Sequence, residues 1–385
     1  MYILAIETSC DDTAVSLVKA AKKGPFEILS NIVSSQVKLH QKYGGVYPFL
    51  AKREHQKNLP IVYKKALLKA RQKQKFKKPD LIAVTAGPGL EPCLWTGINF
   101  AEDLAAKENL PILPINHIES HILVNLANQD SRLTMSALKR LLPAVCLVVS
   151  GGHTQLILMN DIGKGDEFKN SSSPFVNAWE YKVIGETRDD AAGECFDKTA
   201  RILGLGYPGG PAIAAKAAEY KMQDAKYKIR LPRPMLHTKD YDFSFSGLKT
   251  AVLYEFKSHS PKIRKTKEYI REMSHEIQAA IIDVLIKKTI KAAKNHKIKS
   301  ILLGGGVTAN KELRKQMEKA IKKEMPGVRF LVPKAEYSTD NAVMTGITAY
   351  FNWLDLTGKK KGWKKIKANA NLRIGYERGL RTGKS

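Results

Sequence analysis

Apolar and polar positions along this chain form short runs whose period switches repeatedly between strand and helix spacing. Tyr2 to Thr8 is an almost unbroken apolar run that predicts a buried strand. After the polar turn Ser9-Cys10-Asp11-Asp12-Thr13, apolar runs return at Ala14 to Val18 and around Glu27 to Ile32, which predicts a three-stranded meander. Helical spacing with a Lys-rich face covers about 51–74, a short apolar strand covers Leu81 to Ala86, and a second helix covers Leu94 to Lys107 before Pro111 breaks it. The order then repeats. Ala144 to Ser150 and Thr154 to Met159 predict two strands joined by a Gly-Gly-His turn. A long helix over 268–293, a strand at Ser300 to Leu303, a helix after Ala309, a strand at Val328 to Val332 and a last helix from about Asn341 follow. A meander followed by alternating helix and strand, twice over, predicts an α/β protein with a duplicated RNase H-like fold, two lobes and a nucleotide cleft between them, as in the actin, Hsp70 and sugar-kinase superfamily. The expected division is a first lobe over 1–140, a second over 141–355 with a helical insertion, and a basic tail over 356–385.

Composition adds one departure from the ordinary. The 385 residues include 64 Lys and Arg against 37 Asp and Glu, a net charge of +27, which points to a polyanionic partner or an anionic surface. The tail concentrates part of it, with ten Lys or Arg in the last thirty residues and Trp363 and Tyr376 available for stacking. A solvated, frayed terminus explains the same residues equally well. No apolar run approaches the roughly 20 residues that cross a bilayer, so no membrane association is expected. The amino terminus lacks the pattern of a secretory or transit signal, which makes the cytoplasm the expected location. Cys10, Cys93, Cys146 and Cys195 form no CxxC pair, and reduced thiols are the expected state.

Several short segments carry groups suited to chemistry. The Glu7-to-Thr13 turn presents hydroxyls and carboxylates at the end of a hairpin, and Ser150-Gly151-Gly152-His153-Thr154 occupies the matching hairpin of the second lobe. Glycines there allow backbone N–H groups to approach a phosphate. Gly304-Gly305-Gly306 precedes a helix and can pass close to a flat ligand, with Asn310 in the first turn. Asp189, Asp190, Glu194 and Asp197 read as a solvated helix face ahead of the turn Tyr207-Pro208-Gly209-Gly210-Pro211. In His117-Ile118-Glu119-Ser120-His121, a helix would stack the two histidines at i and i+4, as a metal clamp requires, although such pairs also occur by chance. Glu119 would then point about 200° from His117, unlike the general base of the HExxH metalloproteases. Asp340 is a candidate third ligand, or simply a helix N-cap.

These segments together resemble one family over nearly the whole chain: the TsaD-type tRNA N6-adenosine threonylcarbamoyltransferases, once described as glycoprotein endopeptidases. The resemblance rests on ILAIETSCDDT, YGGVYPFLAKREH, TAGPGL, NHIESH, VVSGGHTQL, GETRDDAAGECFDKTARILGLGYPGGP, FSFSGLKTAV, LLGGGVTANKELR and STDNAVM, and is greater to the bacterial and organellar branch. It implies transfer of threonylcarbamoyl from threonylcarbamoyl-AMP to the N6 amine of the adenosine 3′ of the anticodon, in tRNAs reading codons that begin with A. It implies His117, His121 and Asp340 as ligands of one divalent metal, iron(II) first and zinc second. Val148, Val149, Ser150, Gly151 and Gly152 would contact the acyl-adenylate, and Asp197, Gly210 and Asn310 would hold its nucleotide. Asp11 or Asp12 is the candidate acceptor of the amine proton. Implied partners are tRNA, a TsaB-like paralogue, a small TsaE-like ATPase and an upstream threonylcarbamoyl-AMP synthase. The chain departs from the family pattern at Ser120, where Gly is usual, at Glu91-Pro92, at Ser338 in place of a frequent Cys, and in its longer Lys-rich tail. A metalloprotease, a small-molecule kinase of the same superfold and a non-enzymatic RNA-binding scaffold are the rival readings.

Overall fold

The computed structural model describes residues 1–21, 25–76, 78–128, 139–161, 179–221, 223, 225–355 and 366–375. Most of the basic tail, including Trp363 and Tyr376, lies outside them.

Two five-stranded sheets have the same internal order. In the first, β1 (Tyr2–Glu7), β2 (Asp12–Lys19) and β3 (Glu27–Ser35) form an antiparallel meander. The strands β4 (Leu81–Gly87) and β5 (Ile112–Asn116) add parallel to β1, giving the order β3-β2-β1-β4-β5. The second repeats it with β6 (Ala144–Val149), β7 (Thr154–Asn160), β8 (Glu180–Glu186), β9 (Ser300–Gly304) and β10 (Arg329–Leu331), in the order β10-β9-β6-β7-β8. This is the duplicated RNase H-like topology expected from the run order.

The central strands are apolar throughout because both faces are covered. In β1, Leu4 and Ile6 face a core with α1 (Pro48–Lys73) and α2 (Glu91–Glu108), while Ile3 and Ala5 face a second core. In β6, Val145, Leu147 and Val149 face α4 (Ala192–Ile202), α5 (Gly209–Ala218), α6 (Ser246–Ser258) and α7 (Lys267–Asn295), whereas Ala144, Cys146 and Val148 enter the same second core as Ile3. The two lobes therefore share one apolar interior, filled largely by α3 (His117–Leu123) and α9 (Ala342–Asp355). Helix α1 fits its layer because its buried residues, Ala51, His55, Leu59, Val62, Ala66 and Ala70, recur every three or four positions.

The helix that ends at 355 packs on both halves of the chain. Helix α9 lies against β1 and β2 of the first sheet, with Gly346 beside Val18 and Ala5. Its apolar face, Val343, Met344, Ile347 and Phe351, completes the core that the two lobes share. Helix α8 (Lys311–Glu324) closes the second lobe between β9 and β10.

Candidate metal centre

Asn116 ends β5 and caps α3, its side-chain oxygen accepting the N–H groups of Ile118 and Glu119 at 2.8 and 3.1 Å. The helix therefore begins at His117, and His117 and His121 stack one turn apart with ring centroids 4.6 Å apart. Asp340 arrives from the loop before α9. Its Oδ1 lies 3.2 Å from His121 Nε2 and 3.6 Å from His117 Nε2. The N-cap role open to Asp340 falls to Asn341, whose oxygen accepts the N–H groups of Val343 and Met344. That leaves the Asp340 carboxylate free to face the histidines.

One ligand atom from each of His117, His121 and Asp340 lies within 4.8 Å of the others, and the three can hold a metal ion. The donor set fits such an ion on a second count. Both ring nitrogens of His121 are buried without a well-aligned hydrogen-bond partner among the described residues, a cost that a coordinated cation removes.

Glu7 and Ser9 complete the centre. The Glu7 carboxylate lies 3.1 Å from His117 Nδ1, accepts the Ser9 N–H and the Thr85 hydroxyl at 2.6 Å each, and is fully buried. Ser9 Oγ lies 3.2 Å from the same nitrogen. This is the carboxylate–histidine pairing that fixes the tautomer and orientation of a metal-binding imidazole. From the sequence Glu7 is only one of the carboxylates of the 7–13 turn, with no separate part in the His-His-Asp set. The available signal was a carboxylate closing the run Tyr-Ile-Leu-Ala-Ile at a position where a buried strand continues.

The charges are strongly coupled. Burial works against ionisation of His117, but Glu7 and Asp340 outweigh it and raise its pKa to about 9. For Asp340 burial is likewise opposed by His117 and His121, and its pKa falls to about 2. His121 is held below its usual value by burial, and His153 falls to about 4 through burial and the nearby His117 and His121. Metal binding at His117 must displace a proton. Metal affinity is accordingly expected to rise with pH from about neutrality and to level off near pH 9, which a competition titration at stepped pH checks.

Glu119 takes no part in the centre. Its carboxylate is buried, accepts from Asn352 at 3.2 Å and is pushed up to about 7 by burial. The helix bearing both histidines thus places no carboxylate base beside them.

The cleft surrounds this centre. The β6–β7 turn sits on α4, where the Gly193 N–H donates to the Ser150 carbonyl at 3.2 Å, and Gly151 and Gly152 are exposed with open space at their Cβ positions. Val148 and Val149 are fully buried, so their side chains belong to the two cores and only their backbone borders the turn. Asp197 accepts the Gly209 N–H at 2.6 Å and also bonds the Gly210 N–H; burial raises its pKa. Asn310 caps α8 through the N–H groups of Glu312 and Leu313 and donates to Gln278 at 2.8 Å. Burial is the main cause of the raised pKa values of Asp11 and Asp12, with Asp340 adding repulsion, and Asp12 reaches about 7. Asp11 is also within electrostatic reach of Asp197 and Tyr207. The first-lobe turn is therefore within electrostatic reach of both the α4–α5 junction and Asp340.

Two sequence expectations are corrected. Asp189, Asp190 and Asp197 do not form one unpartnered helix face: Asp189, though exposed, precedes α4 and accepts from Ser244, Ser246 and the Phe245 N–H, Asp190 pairs with Lys198 at 2.6 Å, and Asp197 accepts the Gly209 N–H. Nor are all three consecutive glycines kept for a ligand. A Cβ at Gly304 would lie 2.6 Å from the His121 carbonyl oxygen, and one at Gly305 would overlap the Val149 carbonyl oxygen; Gly306 alone faces open space. Gly305 also has φ +88°. Gly305→Ala is expected to destabilise the fold by about 2–3 kcal/mol, measured by denaturant unfolding. Among the departures from the family pattern, Ser120 bonds the Asn116 carbonyl, Glu91-Pro92 starts α2, and Ser338 accepts from Arg314.

A duplicated RNase H-like protein with a buried His-His-Asp centre at its interlobe cleft is the class that fold and site define. The profile of the tRNA N6-adenosine threonylcarbamoyltransferase family, TsaD, matches residues 27–347. A protein of that name from Thermosipho melanesiensis is 45% identical over 351 residues, covering 91% of this chain and 94% of its own. One from Listeria monocytogenes is 39% identical, covering 96% of each. The chain belongs to the tRNA N6-adenosine threonylcarbamoyltransferase family. Among solved structures, T. kodakarensis HypF aligns with a TM-score of 0.54 at 14% identity, covering 92% of this chain and 48% of that one, a likeness of fold alone.

Proposed function

We propose that this chain transfers the threonylcarbamoyl group of threonylcarbamoyl-AMP to the N6 amine of the adenosine 3′ of the anticodon, in tRNAs reading codons that begin with A. The single observation that carries this reading is the His117–His121–Asp340 set, buried beside Glu7 and opening on the cleft between the two glycine- and carboxylate-bearing turns.

The exocyclic amine is a weak nucleophile because its lone pair is delocalised into the ring, so its acyl donor must be an activated anhydride. A new C–N bond forms at the carbamoyl carbon, the C–O bond to phosphate breaks, and its electron pair leaves on AMP. The amine proton passes to a carboxylate. Asp12, with its pKa near 7 and an oxygen lacking a partner among the described residues, suits that role better than Asp11. Ser150, Gly151 and Gly152, with the backbone of Val148 and Val149, border the acyl-adenylate, and Asp197, Gly210 and Asn310 position its nucleotide. Holding donor and acceptor together supplies much of the rate. His117, His121 and Asp340 would hold one divalent metal, iron(II) in the first instance and zinc in the second, which would supply Lewis-acid polarisation of the acyl group.

The partners in this reading are tRNA, a TsaB-like paralogue, a TsaE-like ATPase and an upstream threonylcarbamoyl-AMP synthase, all in the cytoplasm. No helix among the described residues is long and apolar enough to cross a membrane. The net charge of +27 brings tRNA to the cleft. Its affinity for tRNA is expected to fall on the order of a thousandfold between about 50 and 200 mM salt, as filter binding would report.

The direct test supplies the protein with threonylcarbamoyl-AMP, tRNA and the helper proteins, then analyses tRNA nucleosides and released AMP. Equal amounts of N6-threonylcarbamoyladenosine and AMP are expected. Phosphorylated small molecules or cleaved protein, with no modified nucleoside, would replace this reading with a rival.

A further inference from the structure

The segment 366–375 runs across the cleft mouth. The Asn369 N–H donates to the Ala86 carbonyl at 2.8 Å, the Gly89 N–H donates to the Ala370 carbonyl at 3.2 Å, and Asn116 Nδ2 donates to the Arg373 carbonyl at 3.3 Å. Arg373 then reaches the second lobe, pairing with Glu186 at 2.6 Å. Between this segment and the β6–β7 hairpin is a cavity of about 200 Å³. Ile118, one of its walls, follows His117 on α3, and His153, another wall, is within electrostatic reach of His117, His121 and Asp340, so the cavity adjoins the metal centre. Pro88, Leu372 and Ile374 supply further apolar walls, while Gln155, Asn371, Arg373 and His153, whose ring is held neutral by its pKa of about 4, supply polar edges.

Two features constrain what can enter. Gln155 donates to Glu186 at 3.3 Å, but its Oε1 is buried without a partner among the described residues. A buried acceptor in that state is costly until a donor reaches it. Arg373 is paired with Glu186, so the cavity presents no uncompensated cation for a carboxylate or phosphate. Apolar walls, neutral amides and a missing donor suit a flat, neutral base. Gln and Asn side chains are the groups that pair with the N6-amine edge of adenine, and loop bases in RNA can be splayed into such pockets.

Resting on the threonylcarbamoyl-transfer reading, we propose that this cavity is the acceptor subsite. The target adenine lies between Pro88, Ile118 and Leu372, Gln155 Oε1 accepts one hydrogen of its exocyclic amine, and Asn371 contacts its edge. The adenylate occupies the other side of the centre, near Asp197. Gln155 and Asn371 are thus specificity-determining residues for the acceptor.

The test compares anticodon stem-loops carrying adenosine or purine riboside, which lacks the 6-amino group, at the target position. The wild-type chain is expected to bind the adenosine stem-loop about tenfold more tightly, and Gln155→Ala to abolish that preference. In transfer assays Gln155→Ala and Asn371→Ala are expected to raise KM for tRNA about tenfold and change KM for threonylcarbamoyl-AMP by less than about twofold. Asn371 is exposed, so its variant folds whatever Gln155→Ala does. Undiminished discrimination in Gln155→Ala, or its absence in the wild type, overturns the proposal, as does a rise in KM for the adenylate alone. Absence of any transfer by the wild-type chain would instead overturn the underlying reading.

Discussion

Asp340→Ala is expected to lower threonylcarbamoyl transfer on the order of a thousandfold, the several kcal/mol that Lewis-acid activation contributes to such a step. The chain should also lose its bound metal, seen as less than stoichiometric metal by elemental analysis. The carboxylate is the one anionic ligand, and its pKa of about 2 keeps it ionised at any working pH. His121→Ala should behave alike, since neither nitrogen of that ring has a well-aligned hydrogen-bond partner among the described residues and both are available to a cation. Asp340→Ala should not unfold the protein, because Asn341, not Asp340, caps α9. tRNA affinity should stay close to wild type, since the Lys and Arg surplus is untouched. Full transfer by metal-free Asp340→Ala would remove the metal from the account.

Glu7→Gln is expected to weaken metal binding about 10- to 100-fold while leaving all three ligands in place. The carboxylate accepts from the Ser9 N–H and the Thr85 hydroxyl and faces His117 Nδ1. An amide must turn its NH2 toward one of these donors, leaving a buried polar group unmatched at a cost of about 1–3 kcal/mol. Loss of the Glu7 charge also returns the His117 pKa toward its ordinary range. Metal affinity in the variant should then level off at lower pH than in the wild type, where the plateau lies near 9. Competition titrations of both proteins at stepped pH, with thermal unfolding alongside, distinguish this from a general loss of fold. An unchanged pH profile would deny Glu7 its role.

The strand order was readable because both sheets need apolar runs at fixed places, and the meander-then-crossover pattern survives in each half. The His-His pair was readable for a similar reason: helical spacing alone stacks i and i+4. What the sequence concealed depends on contacts between distant segments. Helix α9 has the composition of any amphipathic helix, and only packing shows that it fills the interior shared by the two lobes. Glu7 looks like the polar end of a strand until Thr85 and His117 close around it. Asp189 and Asp190 have the local pattern of a solvated face, yet their partners lie at Ser244, Ser246 and Lys198. In the sequence Gly304 and Gly305 look like room for a ligand, and the neighbour that needs the room is the protein's own backbone.

In the proposed reaction the His117–His121–Asp340 centre carries the transfer to tRNA. Its most direct test is a single-turnover assay with the full chain, labelled threonylcarbamoyl-AMP and tRNA, run on metal-stripped protein and on samples reloaded with graded amounts of iron(II) or zinc. Stripped protein is expected to give no labelled tRNA, with recovery in proportion to metal bound and a limit at one ion per chain. Full labelling by the stripped protein would contradict it.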